Sequence, residues 1–420
     1  FFKQKTAYEI VDCDWSSDVC SSDLGLIMPT LNLPVAGGTI AAYTMQPPKK
    51  FPAAKPPFNR IAYAAAHVVP NPLADNNPWL DHSIDWDATM AFRRHVWSLG
   101  LGVAEAMDTA QRGMGMDWPT SRELIQRTLQ AAASVHGAQV VSGCGTDQLD
   151  PLQARHLDDV IRAYDEQIEA IESLGGRLVI MASRALVRVA RSSADYEKVY
   201  DHILSQVRQP VILHWLGDMF DPQLRGYWGH NDLNAAASVA LGVMQAHASK
   251  VDGIKISLLN KDREIALRRQ LPPGVRMYTG DDFNYPELIA GDGQGSSPQH
   301  QHSDALLGIF DAIAPAASAA LSELAGGHLD AFHAILAPTL PLSRHIFQAP
   351  TQYYKTGVVF MAWLNGHQSH FTLVGGQQST RSLPHLCQLF RLADQANLLV
   401  DPDLALHRMR LFMELHGVRN

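Results

Sequence analysis

His67, Glu105, Asp108, Thr146, Asp147, Ser183, Arg184, His214, Lys255, Ser257, Asp281, Asp282 and Asp311 each stand on, or just beyond, a short apolar run of this sequence. Imidazoles, carboxylates and one amine at the ends of buried strands are the raw material for acid–base and nucleophilic chemistry. Lys255 is the most informative of them. In VDGIKIS, period-two alternation puts Gly253, Lys255 and Ser257 on one face and Asp252, Ile254 and Ile256 on the other. If the isoleucines pack outward, Lys255 points into a closed interior. A desolvated ammonium there loses its proton more readily and leaves an amine able to attack a carbonyl. A lysine paired with a carboxylate such as Asp281 would only balance charge, and spacing alone does not choose between the two.

Eight apolar runs supply the positions, at 61–69, 101–106, 139–145, 177–183, 210–216, 251–257, 276–282 and 306–313. Their continuous apolar character suits strands of a parallel sheet buried on both faces. The segments between them have helical period: DDVIRAYDEQIEAIESLGG spaces Val160, Tyr164, Ile168 and Ile171 by three or four, then stops at Gly175 and Gly176. Strand and helix alternating eight times predicts an α/β fold, a (β/α)8 TIM barrel over 61–320. No G-x-G-x-x-G follows the first run, which argues against a dinucleotide-binding sheet. Residues 28–60, with PPKKFPAAKPPFNR, read as a loop-like N-terminal arm, and 321–420 as a helical extension packed on the barrel. The Gly-, Gln- and His-rich stretch 291–304 reads as a mobile insertion, with His300 and His302 not expected to bind metal.

Residues 1–24 resemble a translated adapter fragment and are expected to lie outside the fold; they lack the features of a signal peptide. Without their two lysines, five acids and two cysteines, the formal charge moves from −8 to −5 and only Cys144 and Cys387 remain. That points to a reducing, cytoplasmic setting without a disulfide framework. Mild acidity offers no footprint for nucleic acid, and no apolar run approaches the ~18 residues of a membrane span.

Lys255 carries a resemblance. VDGIKIS followed about twenty residues later by MYTGDD is similar to the GIK and SGDD segments of the dihydrodipicolinate synthase and N-acetylneuraminate lyase superfamily, and PVILHW falls at its fifth strand. AYAAAHVV, GVAEAMDTAQRGMG, ILHWLGDMFDP and YTGDDFNYPELIAGDG resemble a bacterial family of dihydrodipicolinate synthase-like proteins. The resemblance implies a class I aldolase or lyase, or a related dehydratase, acting on a keto acid or keto sugar through an imine on Lys255 with no other cofactor, commonly as a homo-oligomer. His214 replaces the superfamily's proton-shuttling tyrosine, and imidazole can do that work. Arg184 could bind an anionic substrate group, though a plain ion pair is an equal alternative. AEAMDTAQRGMG stands where the superfamily has a Gly-Thr-Thr-Gly-Glu carboxylate cradle, leaving Thr109 as the one threonine beside Asp108. A hydroxylated carbonyl compound therefore suits Glu105 and Asp108 better than pyruvate. The expected catalytic residues are Lys255, His214 and Asp281, with Glu105, Asp108, Thr109, Arg184, His67 and Ser257 around the substrate.

Two other readings use the same residues. His67, Glu105, Asp108, His214 and Asp281 could gather a divalent metal for isomerisation or lyase chemistry, although no compact metal signature is present. A barrel that binds a metabolite without turning it over would keep the polar rim but not need Lys255. Lys355 in YYKTG could reach the barrel mouth but reads first as a solvated lysine, and Cys144 could be a nucleophile but reads first as a small buried hydrophobe.

Overall fold

The computed structural model describes residues 28–418 apart from Ala36 and Ser296; the segment 1–24 lies outside the described residues. Among the described residues there are ten strands: β1 (Thr30–Pro34), β2 (Ile40–Thr44), β3 (Ala62–Ala65), β4 (Gly102–Glu105), β5 (Val140–Cys144), β6 (Leu178–Ile180), β7 (Val211–Leu216), β8 (Val251–Ser257), β9 (Arg276–Thr279) and β10 (Asp304–Leu307). Strands β3 to β10 close into a barrel in sequence order, β10 returning to β3, with every neighbouring pair parallel. The chain is a (β/α)8 barrel with helices packed outside it and further helices following the last strand.

Period two decides what lies inside. Tyr63, Ala65, Ala104, Val141, Val179, Ile212, Tyr278 and Leu306 fill the interior, while Ile254 and Ile256 join the outer layer against the helices. Asp252 departs from that pattern. Register shifts between Val211 and Ile212 opposite it, and its carboxylate accepts a 2.6 Å hydrogen bond from the interior Tyr278 hydroxyl.

Three expectations need correction. The eighth strand spans Asp304–Leu307, and from Ile309 the chain is helical, because a continuous apolar run such as LLGIFDAI fits a buried helix as well as a strand. The arm is not all loop: β1 and β2 form an antiparallel hairpin whose Leu31 and Leu33 are buried. It is held by Arg391 of the helix Leu383–Gln395, whose guanidinium donates to the Leu33 and Pro34 carbonyls, each at 3.1 Å. The stretch 291–304 is not free either, since His300 is buried and its carbonyl accepts from Arg268 Nε at 3.1 Å.

The helix Tyr354–Leu364 is buried along its whole length, as a helix apolar on every side must be. Its N-terminus is aimed at the barrel mouth, where Tyr354 reaches Thr109. Among the described residues no helix is long and apolar enough to cross a membrane.

Candidate active site

Strands β7 and β8 pair with His214 opposite Lys255, so two inward side chains stand side by side at one level of the barrel. Lys255 leaves only 6% of its surface exposed. Gly280, just after β9, gives it room: a Cβ built there would lie 2.9 Å from Lys255 Cε and 2.3 Å from Ser257 Oγ. Burial pushes the Lys255 ammonium below its ordinary pKa, and the Asp108 and Asp282 carboxylates pull it partly back. Burial pushes Asp282 up to about 7, against a 2.9 Å hydrogen bond from the Ile309 amide and the charge of Lys255. Burial thus moves the amine and the neighbouring carboxyl toward each other, favouring the neutral forms that an amine nucleophile and a neighbouring acid require. His214 is kept neutral by burial first and by Lys255 second. Its Nε2 lies 3.3 Å from Ser257 Oγ, and its Nδ1 has no protein partner.

A compartment of about 10 Å³ around Lys255 is walled by Asp108, Thr109, Phe220, Ser257, Asp282 and Tyr354, among others. That is space for about one water-sized group. It abuts a cavity of about 120 Å³ lined by Arg112, Thr146, Asp147, Arg184, His214 and Asp221. Asp108 and Leu216 line both, so the two spaces meet at these residues.

Lys255, His214, Ser257, Asp108 and Thr109 thus come together, Arg184 stands in the adjoining cavity, and three expected residues lie elsewhere. Glu105 faces outward from β4, where Arg93 Nε and Nη2 each donate to it at 2.9 Å and Thr128 Oγ1 at 2.5 Å. The interior side of that strand belongs to Ala104. His67 is engaged with Asp311, Nδ1 to Oδ2 at 2.8 Å, and packs on Phe92 outside the Lys255 compartment. The Asp281 carboxylate caps the turn after β9, accepting from the Phe283 amide at 2.9 Å and the Asn284 amide at 3.0 Å; Asp282 takes the place expected of it beside Lys255. Arg184 makes the plain ion pair, Nε to Asp221 Oδ2 at 2.5 Å. Among the described residues no three His, Cys, Asp or Glu side chains are arranged to hold a metal ion, so the five residues of the metal reading form no ligand set.

Tyr354 and Arg112 escaped the sequence reading, which placed Lys355 in solvent. The Tyr354 hydroxyl is 2.8 Å from Thr109 Oγ1, and its ring stacks on Phe347 at 4.4 Å. Lys355 is buried, not solvated: Nζ meets the Gln352 carbonyl at 3.1 Å and Met114 Sδ at 3.2 Å, and burial pushes it down to about 8. Arg112 donates to the Gly143 carbonyl at 2.7 Å and to Gln167 Oε1 at 2.9 Å, and is ion-paired with Asp147. Cys144 is fully buried, and burial raises its thiol far above the reactive range.

Residues 31–418 match the family described as "Protein of unknown function (DUF993)". The chain belongs to that family. No curated protein sequence matches it. Its fold is that of solved dihydrodipicolinate synthase-family structures. The enzyme from Oceanobacillus iheyensis is 14% identical, with a TM-score of 0.59 over 80% of this chain and 97% of its own. The enzyme from Aquifex aeolicus is 11% identical, with a TM-score of 0.59 over 81% and 99%. YagE, a prophage protein of E. coli belonging to that family and solved in complex with pyruvate, is 12% identical, with a TM-score of 0.59 over 81% and 99%.

Proposed function

We propose that this protein is a Schiff-base-forming lyase or aldolase, or a related dehydratase, acting on a hydroxylated carbonyl compound. One observation carries the reading: an enclosed amine at Lys255 whose pKa is depressed by burial, with Asp282 and His214 beside it. The neutral amine adds to the substrate carbonyl, and the resulting carbinolamine must take up a proton to lose water. Asp282, with its carboxyl near 7, supplies that proton. Once the imine has formed, its positive charge stabilises the carbanion left by C–C cleavage or by removal of an α-proton. His214, neutral and with Nδ1 unengaged, accepts the proton. The Thr109–Tyr354 hydroxyl pair offers a second route for protons across the compartment.

The charges lining the larger cavity bear on the substrate class. Arg112 is tied to Asp147 and Arg184 to Asp221, so each guanidinium in the cavity already has a carboxylate partner that offsets its charge toward a substrate carboxylate. Asp108 lines both compartments, and a carboxylate accepts hydrogen bonds from hydroxyls. A keto sugar or other polyhydroxylated carbonyl compound fits this lining better than pyruvate, despite the pyruvate bound in YagE. The test is a panel of keto sugars and keto acids offered to wild type and to Lys255→Arg in the presence of borohydride. Inactivation by a keto sugar in wild type, and none in the variant, is expected. No inactivation by any carbonyl compound, or equal inactivation of both proteins, would overturn the proposal.

A further inference from the structure

A second cavity, of about 550 Å³, lies outside the barrel, where the arm residues Pro48–Ala54 cross the helices that follow β10. It shares no lining residue with the Lys255 compartment, so a ligand held in it is independent of the proposed activity. Its size falls within the roughly 300–1,000 Å³ of small-molecule sites. Met361, Ala362, Leu398, Leu399, Ala312 and Pro315 make its walls; the first five are buried and Pro315 is half-buried.

Charge is distributed unevenly along it. The inner end holds Asp311, already paired with His67, and the rings of His95 and His367, whose centroids are 4.6 Å apart. Burial keeps both imidazoles uncharged, His367 being pushed down to about 3. The Nε2 atoms of His67 and His95 have no protein partner. At the outer end stand the exposed side chains of Lys49 and Lys50. An anion is therefore repelled from the inner end by Asp311 and finds no cation there, whereas two ammonium groups wait at the mouth. The apolar walls favour a hydrocarbon between these ends, at roughly 0.8 kcal/mol per buried methylene.

We infer that this cavity is a binding site for an amphiphilic monocarboxylate, its hydrocarbon chain lying against Met361, Leu398 and Leu399 and its carboxylate at Lys49 and Lys50. Titration calorimetry of the full chain with decanoate, 1-decanol and decylammonium tests it. Decanoate is expected to bind saturably at one per chain, decanol more weakly, and decylammonium without saturation. Ala53→Trp, on the exposed arm where the fold is not at risk, should weaken decanoate at least tenfold by filling the mouth. Replacing Lys49 and Lys50 together by glutamate should weaken decanoate tenfold or more and leave decanol unchanged. The inference is overturned if decanoate gives no saturable heat, if Ala53→Trp binds it like wild type, or if decylammonium binds as tightly as decanoate.

Discussion

Gly280→Ala probes how tightly the reactive lysine is held. A Cβ at this position would sit 2.3 Å from Ser257 Oγ, 2.6 Å from the Ile256 carbonyl oxygen and 2.9 Å from Lys255 Cε. The Ser257 hydroxyl can rotate away, but the Ile256 carbonyl is fixed by the 2.9 Å hydrogen bond it accepts from the Gly280 amide itself. Something in the barrel wall must therefore move by several tenths of an ångström, and the Lys255 side chain is the softest neighbour. Overpacking of this kind costs about 1–3 kcal/mol, and a 1 Å displacement of a reacting group costs on the order of 10²-fold in rate. Denaturant unfolding should show the loss of stability. For a shift of several tenths of an ångström, borohydride trapping of a carbonyl compound, followed in protein that is still folded, should be slowed about tenfold. Gly102→Ala is the control: its Cβ would meet the Tyr63 ring at 2.5 Å, away from the lysine, so stability should fall without slower trapping. A folded Gly280→Ala protein that traps carbonyl compounds at the wild-type rate would refute the reasoning.

Tyr354→Phe keeps the stack on Phe347 and removes the hydroxyl paired with Thr109; it should unfold within about 1.5 kcal/mol of wild type and turn over substrate roughly 10²-fold more slowly. Glu105→Leu leaves the Arg93 guanidinium buried without its carboxylate and should lower the unfolding free energy by about 3–5 kcal/mol, measured by urea titration. Burial pushes Glu264 up to about 8 from 4.5, so the folded state holds its proton more tightly than the unfolded chain does. That stability is fully present below pH 4.5 and lost as pH rises through 8. Against wild type, Glu264→Gln should therefore gain in melting temperature as pH is raised across this window.

The barrel was legible in the sequence because strands buried on both faces leave long apolar runs, and Lys255 and His214 were legible because alternation inside a regular strand fixes direction. Direction fails where the strand stops. β9 ends at Thr279, so alternation says nothing about Asp281 and Asp282, and the turn geometry gives one carboxylate to a cap and the other to the site. Glu105 is the last residue of a four-residue strand whose other members, Gly102, Val103 and Ala104, are all buried, so no contrast between faces marked it as outward. Tyr354 lies 245 positions from Thr109, and only the packing of the C-terminal helices brings them together. The hairpin was hidden by the prolines around it, which are tolerated because its two strands pair only with each other.

Peptide mass spectrometry after borohydride reduction in the presence of a keto sugar locates the covalent step. A reduced adduct on the peptide carrying Lys255, absent in Lys255→Arg, is the expected result. An adduct on Lys355 or on surface lysines, with the Lys255 peptide unmodified, would contradict the assignment of Lys255 as the nucleophile.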